Sequence, residues 1–315
     1  MLEPIISVII PTRQRSQLVK RAVNSAGAQT LRAIEIIVVI DGLDLATEQE
    51  LAKINDPRLR IVQLPTSKGG AGARNAGVAA AKAEWIAFLD DDDEWLTQKL
   101  ELQLAVAAKS QYKYPIISCC LTARTPKGEF IYPRRFPRAN EPLSEYLLAR
   151  NSLSFGEGLI QTSTIFTQKK LLEKIPFQEG LVKHQDWDWL LKVNTLTDVE
   201  IKFVPETLAI WHCWQERQST SSTSNWQQSL AWLRDNQNLV TPRAYAGFIM
   251  TQVSPQAAQE GQWQVFWSLL KEAGDRGKLQ PSDLILYLLM WFLPKNIRRS
   301  LKTLFKVETQ QISGV

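Results

Sequence analysis

A chain of 315 residues that is 44% hydrophobic and 22% charged can bury a sizeable core, which excludes an intrinsically disordered or low-complexity protein. Its three cysteines, Cys119, Cys120 and Cys213, are an odd number without CxxC spacing. That argues against a disulfide framework and a zinc site, and makes a reducing cytosol the default. The net charge of +5 is concentrated in Lys295, Arg298, Arg299, Lys302 and Lys306, a stretch without an acidic residue. A balanced body with a basic end suggests an anionic surface partner, and no recognition motif accompanies it to indicate nucleic acid.

The start, Met1-Leu2-Glu3-Pro4, has no basic n-region and does not read as a secretory signal. Ile5 to Ile10 is a short apolar run ended by Pro11, and residues 14 to 28 carry a helical pattern. Ile34 to Ile40 is almost wholly β-branched and ends at Asp41-Gly42. Residues 47 to 54 predict a helix, 59 to 64 a strand, 70 to 82 an alanine-rich helix and 85 to 89 a strand running into Asp90-Asp91-Asp92-Asp93. Short apolar runs alternating with helices predict an α/β fold with a mostly parallel sheet covered on both faces. Ligands of such sheets collect at the carboxyl ends of strands, where Pro11-Thr12-Arg13, Asp41-Gly42 and the aspartates lie.

Further along, 116 to 122 and 129 to 132 predict a strand pair around Thr125-Pro126-Lys127-Gly128. Residues 159 to 166 and 201 to 204 are strand candidates, and 186 to 193 predicts a helix. Ser219 to Ser224 is a polar low-complexity run, read as a linker, and everything after Trp226 looks helical. The expected division is a first domain over 1–215 and a helical region over 216–315.

Four adjacent carboxylates repel one another unless a cation neutralises them. A hard divalent ion such as Mn²⁺ or Mg²⁺ takes carboxylate oxygens together with substrate phosphates. The plainer reading is an acidic turn capping a helix that begins near Glu94. Lys68 to Asn75 lacks GxxxxGK[ST], and its GxGxx is followed by Asn75, so neither a Walker loop nor a dinucleotide fingerprint is present.

Ser7-Val8-Ile9-Ile10-Pro11-Thr12, Glu35 to Gly42, Gly72-Ala73-Arg74-Asn75-Ala76-Gly77 and Phe88 to Asp93, in that order, resemble the family 2 glycosyltransferases with the GT-A fold. His184-Gln185-Asp186-Trp187-Asp188 is similar to that family's acidic-aromatic motif, and the likeness covers roughly residues 5 to 215. The resemblance implies a GT-A-type sheet flanked by helices, with a helical C-terminal extension. It implies an inverting transfer from a nucleotide-sugar donor, UDP-linked by preference, to a glycan or lipid-linked acceptor in cell-surface polysaccharide synthesis.

By the same resemblance Pro11, Thr12, Arg13 and Asp41 meet the nucleotide, Asp41 accepting from a uracil or thymine imide N–H. Ile40 departs from the family, which often carries a second acid there. Arg74 lies near the sugar-diphosphate, Asp90 near the ribose, and Asp92 is the direct ligand of Mn²⁺ or Mg²⁺, with Asp91 acting through water or as a cap. Asp186 is the general base and Asp188 caps or orients. His184, Trp187 and Gln161, the last within Gln161-Thr162-Ser163-Thr164, are acceptor-side candidates. His212 sits near where some relatives carry a metal or phosphate contact, and a polar structural histidine is the plainer reading of both His184 and His212. Trp187, Trp189, Trp211 and Trp214 could stack on sugars, although aromatics at helical spacing are more often core.

Leu284 to Leu293 is an apolar run closed by Pro294. As a helix it spans about 15 Å, half of a bilayer core, so it does not cross a membrane. Beyond it Ile297, Leu301, Leu304 and Phe305 share one helical face and Arg298, Lys302 and Lys306 another. That is the pattern of a helix lying on an anionic lipid surface, or else of a cap on the catalytic domain. A cytoplasmic protein, peripheral on the cytosolic face of a membrane through 284–306, is therefore expected. The rival enzyme is a nucleotidyltransferase, but Pro11-Thr12-Arg13-Gln14-Arg15 lacks the glycine its first loop needs. A non-catalytic sugar-nucleotide or membrane-binding protein would be favoured only if the acidic residues were absent.

Overall fold

The computed structural model describes residues 3–126, 128–151, 156–213 and 225–293. Two compact units result: Met1–Phe136 with Leu159–Ser222, and Pro137–Gly158 with Thr223–Val315. The segment 137–158, which sequence placed in the first domain, groups with the C-terminal helices.

In chain order the first unit runs β1 (Ile6–Thr12), α1 (Ser16–Gly27), β2 (Ile34–Ile40), α2 (Leu45–Leu51), β3 (Leu59–Gln63), α3 (Gly69–Ala80), β4 (Trp85–Phe88), β5 (Glu94–Trp95), α4 (Lys99–Ala107), β6 (Tyr114–Thr125) and β7 (Gly128–Tyr132). After α5 (Leu143–Leu148) of the second unit it resumes with β8 (Phe166–Gln168), α6 (Lys169–Lys174), α7 (Gln185–Val193) and β9 (Val199–His212). The described strands form one sheet in the order β3-β2-β1-β4-β8-β6-β9-β5, with β7 paired to β6. Strands β3, β2, β1 and β4 are mutually parallel, and the short β8 enters antiparallel between β4 and β6.

The β-branched run of β2 is buried at every position, as a strand covered on both faces requires. Glu35 is tolerated there because Ser7 Oγ, Lys82 N and Arg60 all donate to it. Helix α3 lies so close on β1 and β2 that a Cβ at Gly77 would sit 2.4 Å from Ile9 Cγ2 and 3.2 Å from Val39 Cγ2. Gly77→Ala is therefore expected to cost about 1–3 kcal/mol through overpacking. A shift of the urea midpoint checks this, and an unchanged midpoint would contradict the packing described.

Three sequence expectations are corrected. No helix begins at Glu94: Glu94 and Trp95 form β5, pairing with Ile210 and Ala209, and α4 starts at Lys99. Asp91 and Asp93 therefore do not cap a following helix. The strand expected over 159–166 is mostly a 3₁₀ turn at Thr162–Thr164, because Gln161 and Thr164 side chains bond the local backbone instead of a ladder. Strand β9 continues eight residues past Val204 to His212, because Pro205 and Glu206 bulge out of the pairing with β6 between Val204 and Thr207.

The second unit is helical: α5, then α8 (Trp226–Asp235), α9 (Pro242–Phe248), α10 (Ser254–Gln259), α11 (Phe266–Arg276) and α12 (Pro281–Phe292). Phe248, Ile249, Met250 and Val253 are fully buried in it. Its buried charge is paired, Arg243 lying 2.7 Å from Asp283, as burial of a charge demands. Among the described residues no helix is long and apolar enough to cross a membrane. The polar run 219–224, Trp214 and the basic stretch 295–306 lie outside the described residues.

Candidate active site

The parallel strands β1, β2, β3 and β4 bring their carboxyl ends to one edge of the sheet. In register Thr12 lies opposite Ile40 and Ile40 opposite Gln63, so Arg13, Asp41 and the loop after β3 open a cleft together. Its volume is about 310 Å³, and Arg13, Gln14, Asp41, Gly42 and Ser67 are among its walls. Asp41 is buried and accepts three hydrogen bonds, from Ser67 Oγ (2.6 Å), Lys68 N (2.6 Å) and Gly69 N (3.0 Å). A carboxylate has about four acceptor sites, so a fourth donor can still be received. Arg13 is exposed and donates to Ser67 Oγ at 3.0 Å. This ties the loop after β1 to the loop after β3.

The four aspartates follow β4 in a turn held from several sides. Asp90 N donates to Ser163 Oγ, Asp93 N to Asp90 O, and Trp95 Nε1 to Ser163 O. Each carboxylate has its own environment. Asp90 pairs with Arg74 at 2.7 Å. Asp91 accepts from Thr12 Oγ1 at 2.8 Å and from Arg15 at 3.0 Å. Asp92 lies 3.3 Å from Arg15, and its backbone carbonyl accepts from Arg21. Asp93 accepts from Gln161 Nε2 (2.8 Å) and Ser163 Oγ (2.7 Å).

Burial pushes the Asp91 pKa up to about 6, with Arg15 opposing the rise and Asp92 adding to it. Burial, with the charges of Asp92 and Asp90, holds Asp93 well above the ordinary range. Its Oδ1 is buried without a hydrogen-bond partner. Burial first and the neighbouring carboxylates second thus disfavour the charged forms of Asp91 and Asp93, and a cation beside them would ease their ionisation. Among the described residues no three His, Cys, Asp or Glu side chains converge on one point. Mg²⁺-like ions need only one or two carboxylates when substrate phosphates and water supply the rest, so the residues present fit such an ion through Asp92.

Helix α7 presents the acidic-aromatic motif beside this cluster. Arg74 connects the two: one guanidinium nitrogen donates to Asp90 and another to Gln185 Oε1, each at 2.7 Å. The next residue, Asp186, accepts from its own Trp187 N at 2.9 Å. Burial pushes the Asp186 pKa up to about 6. The Trp187 N–H and Arg74 oppose this, and the charge of Asp90 adds to it. Asp188 is buried and pairs with Lys192 at 2.8 Å. His184 enters the helix in a left-handed conformation (φ 64°), stacks on Trp187 with centroids 5.0 Å apart, and is driven down to about 3 by burial and by Lys183. It is neutral at any physiological pH.

The motif residues divide by task. Asn75 exchanges two hydrogen bonds with the backbone of Phe177, and Trp189 is fully buried against Phe177. Both are framework. His212, at the end of β9, bonds Glu94 Oε1 at 2.7 Å. Gln161, an acceptor-side candidate, turns its amide to Asp93 and Asp90. The sequence gives no role to Arg21, and it shows Arg15, Gln185 and Ser163 only as members of motifs, without the contacts they make here. Arg15 and Arg21 show there as charge around helix α1, and Gln185 and Ser163 carry no charge pattern at all.

The profile of the family described as Glycosyl transferase family 2 matches residues 7–175. The chain is 28% identical over 238 residues to the amylovoran biosynthesis glycosyltransferase AmsB of Erwinia amylovora, covering 72% of this chain and 76% of that protein. It is 27% identical over 229 residues to the UDP-Glc:alpha-D-GlcNAc-diphosphoundecaprenol beta-1,3-glucosyltransferase WfgD of Escherichia coli, covering 70% and 80%. Similar solved structures include S. aureus TarS 1-349 in complex with UDP-GlcNAc (TM-score 0.56, 18% identity, 90% of this chain and 79% of that one). Another is the mannosyltransferase PcManGT of Pyrobaculum calidifontis with GDP-Man and Mn²⁺ (TM-score 0.55, 16% identity, 96% and 84%). These structures share the GT-A-like fold.

Proposed function

The chain belongs to glycosyl transferase family 2, and from that premise we propose that it is an inverting, metal-dependent hexosyltransferase. Its donor is a nucleoside-diphosphate sugar, UDP-linked, and its acceptor a hydroxyl of a glycan or lipid-linked saccharide in cell-surface polysaccharide synthesis. The observation that carries the reading is the Arg74 bridge from Asp90 to Gln185. It sets a carboxylate of raised pKa, Asp186, next to the acidic cluster rather than inside it. Support for the donor and acceptor classes comes from the similarity to the UDP-Glc-dependent WfgD, whose acceptor is diphosphoundecaprenol-linked. In this reading the enzyme works at the cytosolic face of a membrane, where a lipid-linked acceptor would be met.

In this reading the uracil enters the cleft over Asp41, whose remaining acceptor site takes the imide N–H. Arg13 and the Ser67 loop line that entrance. Asp90 faces the ribose, and Arg74 leans toward the diphosphate while keeping its hold on Asp90. A Mn²⁺ or Mg²⁺ ion held by Asp92 supplies, when bound, charge neutralisation for the departing diphosphate. Asp186 removes the acceptor proton as the new C–O bond forms on the opposite face of an oxocarbenium-like sugar. Neutral His184, stacked on Trp187, gives the acceptor side a polar but uncharged wall.

The raised pKa of Asp186 has a sign. Below about 6 the carboxyl holds its proton and cannot act as base; above it the carboxylate is free. Transfer measured with saturating donor is therefore expected to fall as pH drops through about 6, approaching ~10-fold per unit. A rate flat down to pH 4.5 would contradict the assignment. The function itself is tested by screening UDP-, GDP- and dTDP-sugars with Mn²⁺ for thermal stabilisation and slow donor hydrolysis. A response to a UDP-sugar, abolished by a chelator, is expected. Silence toward every donor would contradict the proposal.

A further inference from the structure

The second unit carries an apolar face that its own core does not use. On α12, Leu284, Ile285, Leu288 and Phe292 are exposed, and beside them stand Trp263 at 51% and Trp267 at 74% exposure. These groups form one surface. Fully packed Phe266 lies 5.0 Å from the Trp267 ring and 5.7 Å from Phe292, and Trp263 lies 5.5 Å from Phe292. Ile285, Leu288 and Phe292 recur at i, i+3 and i+7, so they share one face of the helix. An exposed aromatic patch of this kind marks an interaction site.

We infer that this face inserts into the surface of an anionic lipid bilayer. Four observations select lipid. Indoles and Phe on one side of a short, non-spanning helical pair match the interfacial region, where amphipathic rings collect. The sole acid of α12, Asp283, is buried against Arg243 and presents no charge to repel anionic headgroups. Lys271 stands one turn beyond Trp267 on α11, while the exposed Asp275 lies two turns from it. Three residues after Phe292 the sequence begins a stretch with five basic residues, Lys295 to Lys306, each of which adds attraction to an anionic leaflet. Apolar anchor and positive charge are therefore contiguous in the chain, the two-signal arrangement that stable peripheral binding needs. The inference rests on the proposed lipid-linked acceptor for its purpose, and on the exposed face and basic run for its evidence.

Flotation of the full chain with vesicles tests it. Native protein should float with phosphatidylglycerol-containing vesicles, less with phosphatidylcholine alone, and less again in high salt. The double variant Trp267→Ser, Leu288→Ser alters exposed side chains only, and should lower the partition into anionic vesicles at least ~10-fold. Its UDP-sugar hydrolysis should stay at the native level. The paired variant Trp263→Phe, Trp267→Phe should still float but lose quenching of its fluorescence by brominated lipid. Failure of the native chain to float, an undiminished double variant, or quenching that survives without the two indoles would each overturn the inference. So would a native dimer that the double variant dissociates, since a second copy would then occupy the face. A native chain that hydrolyses a UDP-sugar but does not float sinks the lipid surface alone, whereas a native chain that floats but answers no nucleotide sugar sinks the transferase reading alone.

Discussion

Asp186→Asn should transfer sugar at least ~10²-fold more slowly than the native enzyme while binding donor with unchanged affinity. The substitution keeps the shape of the side chain and removes only its capacity to take a proton. The proposed donor contacts do not pass through Asp186: it is not among the walls of the cleft at Asp41, and it makes no part of the Asp90–Arg74 ion pair. Nor can a neighbour replace it. Asp188 is buried and paired with Lys192. His184 is neutral, but burial has lowered its pKa to about 3, which makes it too weak a base. Steady-state transfer and calorimetric donor binding, measured on the same preparation, separate the two effects. Unchanged turnover with the correct acceptor would remove Asp186 from the mechanism, and Asp188 would be the next residue to vary.

The second large effect is at the acidic turn. Asp92→Ala should abolish the metal-dependent part of donor binding, weakening a UDP-sugar in Mn²⁺ by at least ~10²-fold, or about 2.8 kcal/mol. The reason lies in the partition of the four carboxylates. Asp93 is taken up by Gln161 and Ser163, Asp91 by Thr12 and Arg15, and Asp90 by Arg74. Asp92 meets Arg15 at the longer distance of 3.3 Å, and it is the carboxylate that would be shared with an ion in this reading. Native protein treated with a chelator should reproduce the variant. Donor binding that is equally tight without metal would contradict this role, and would leave Arg15 and Arg74 as the groups neutralising the diphosphate.

What could be read from sequence follows the range of the interaction involved. β2 was legible because six of its seven buried positions carry β-branched apolar residues, Glu35 being the exception, and the polar residue just past it, Asp41, then had to lie at a strand end. Local patterns of this kind put Asp41 and Asp90 to Asp93 at strand ends, whereas Asp186 was reached only through the resemblance of its motif. Contacts distant in sequence were hidden. Nothing near Ser163 signals that it supports residues more than sixty positions earlier, and nothing near Gln185 announces Arg74, 111 residues away. The 3₁₀ turn at Thr162 was concealed by a run of Thr and Ser that also suits a strand. The short strand at Glu94 was concealed because two residues carry no period, and only β9 makes them a strand. The long β9 was concealed by Pro205, which normally ends a strand and here sits in a bulge. The exposed indoles of the second unit could not be told from core aromatics until their burial was known.

The central claim is a direct displacement at the anomeric carbon with Asp186 as base, and the stereochemistry of donor hydrolysis tests it without knowledge of the acceptor. In concentrated enzyme with Mn²⁺ and an α-linked UDP-sugar, water takes the acceptor's place. Proton NMR then reads the anomer released before mutarotation equilibrates it. Inversion should release the β-anomer first, and Asp186→Asn should suppress its formation; first appearance of the α-anomer would rule out a direct displacement at this site.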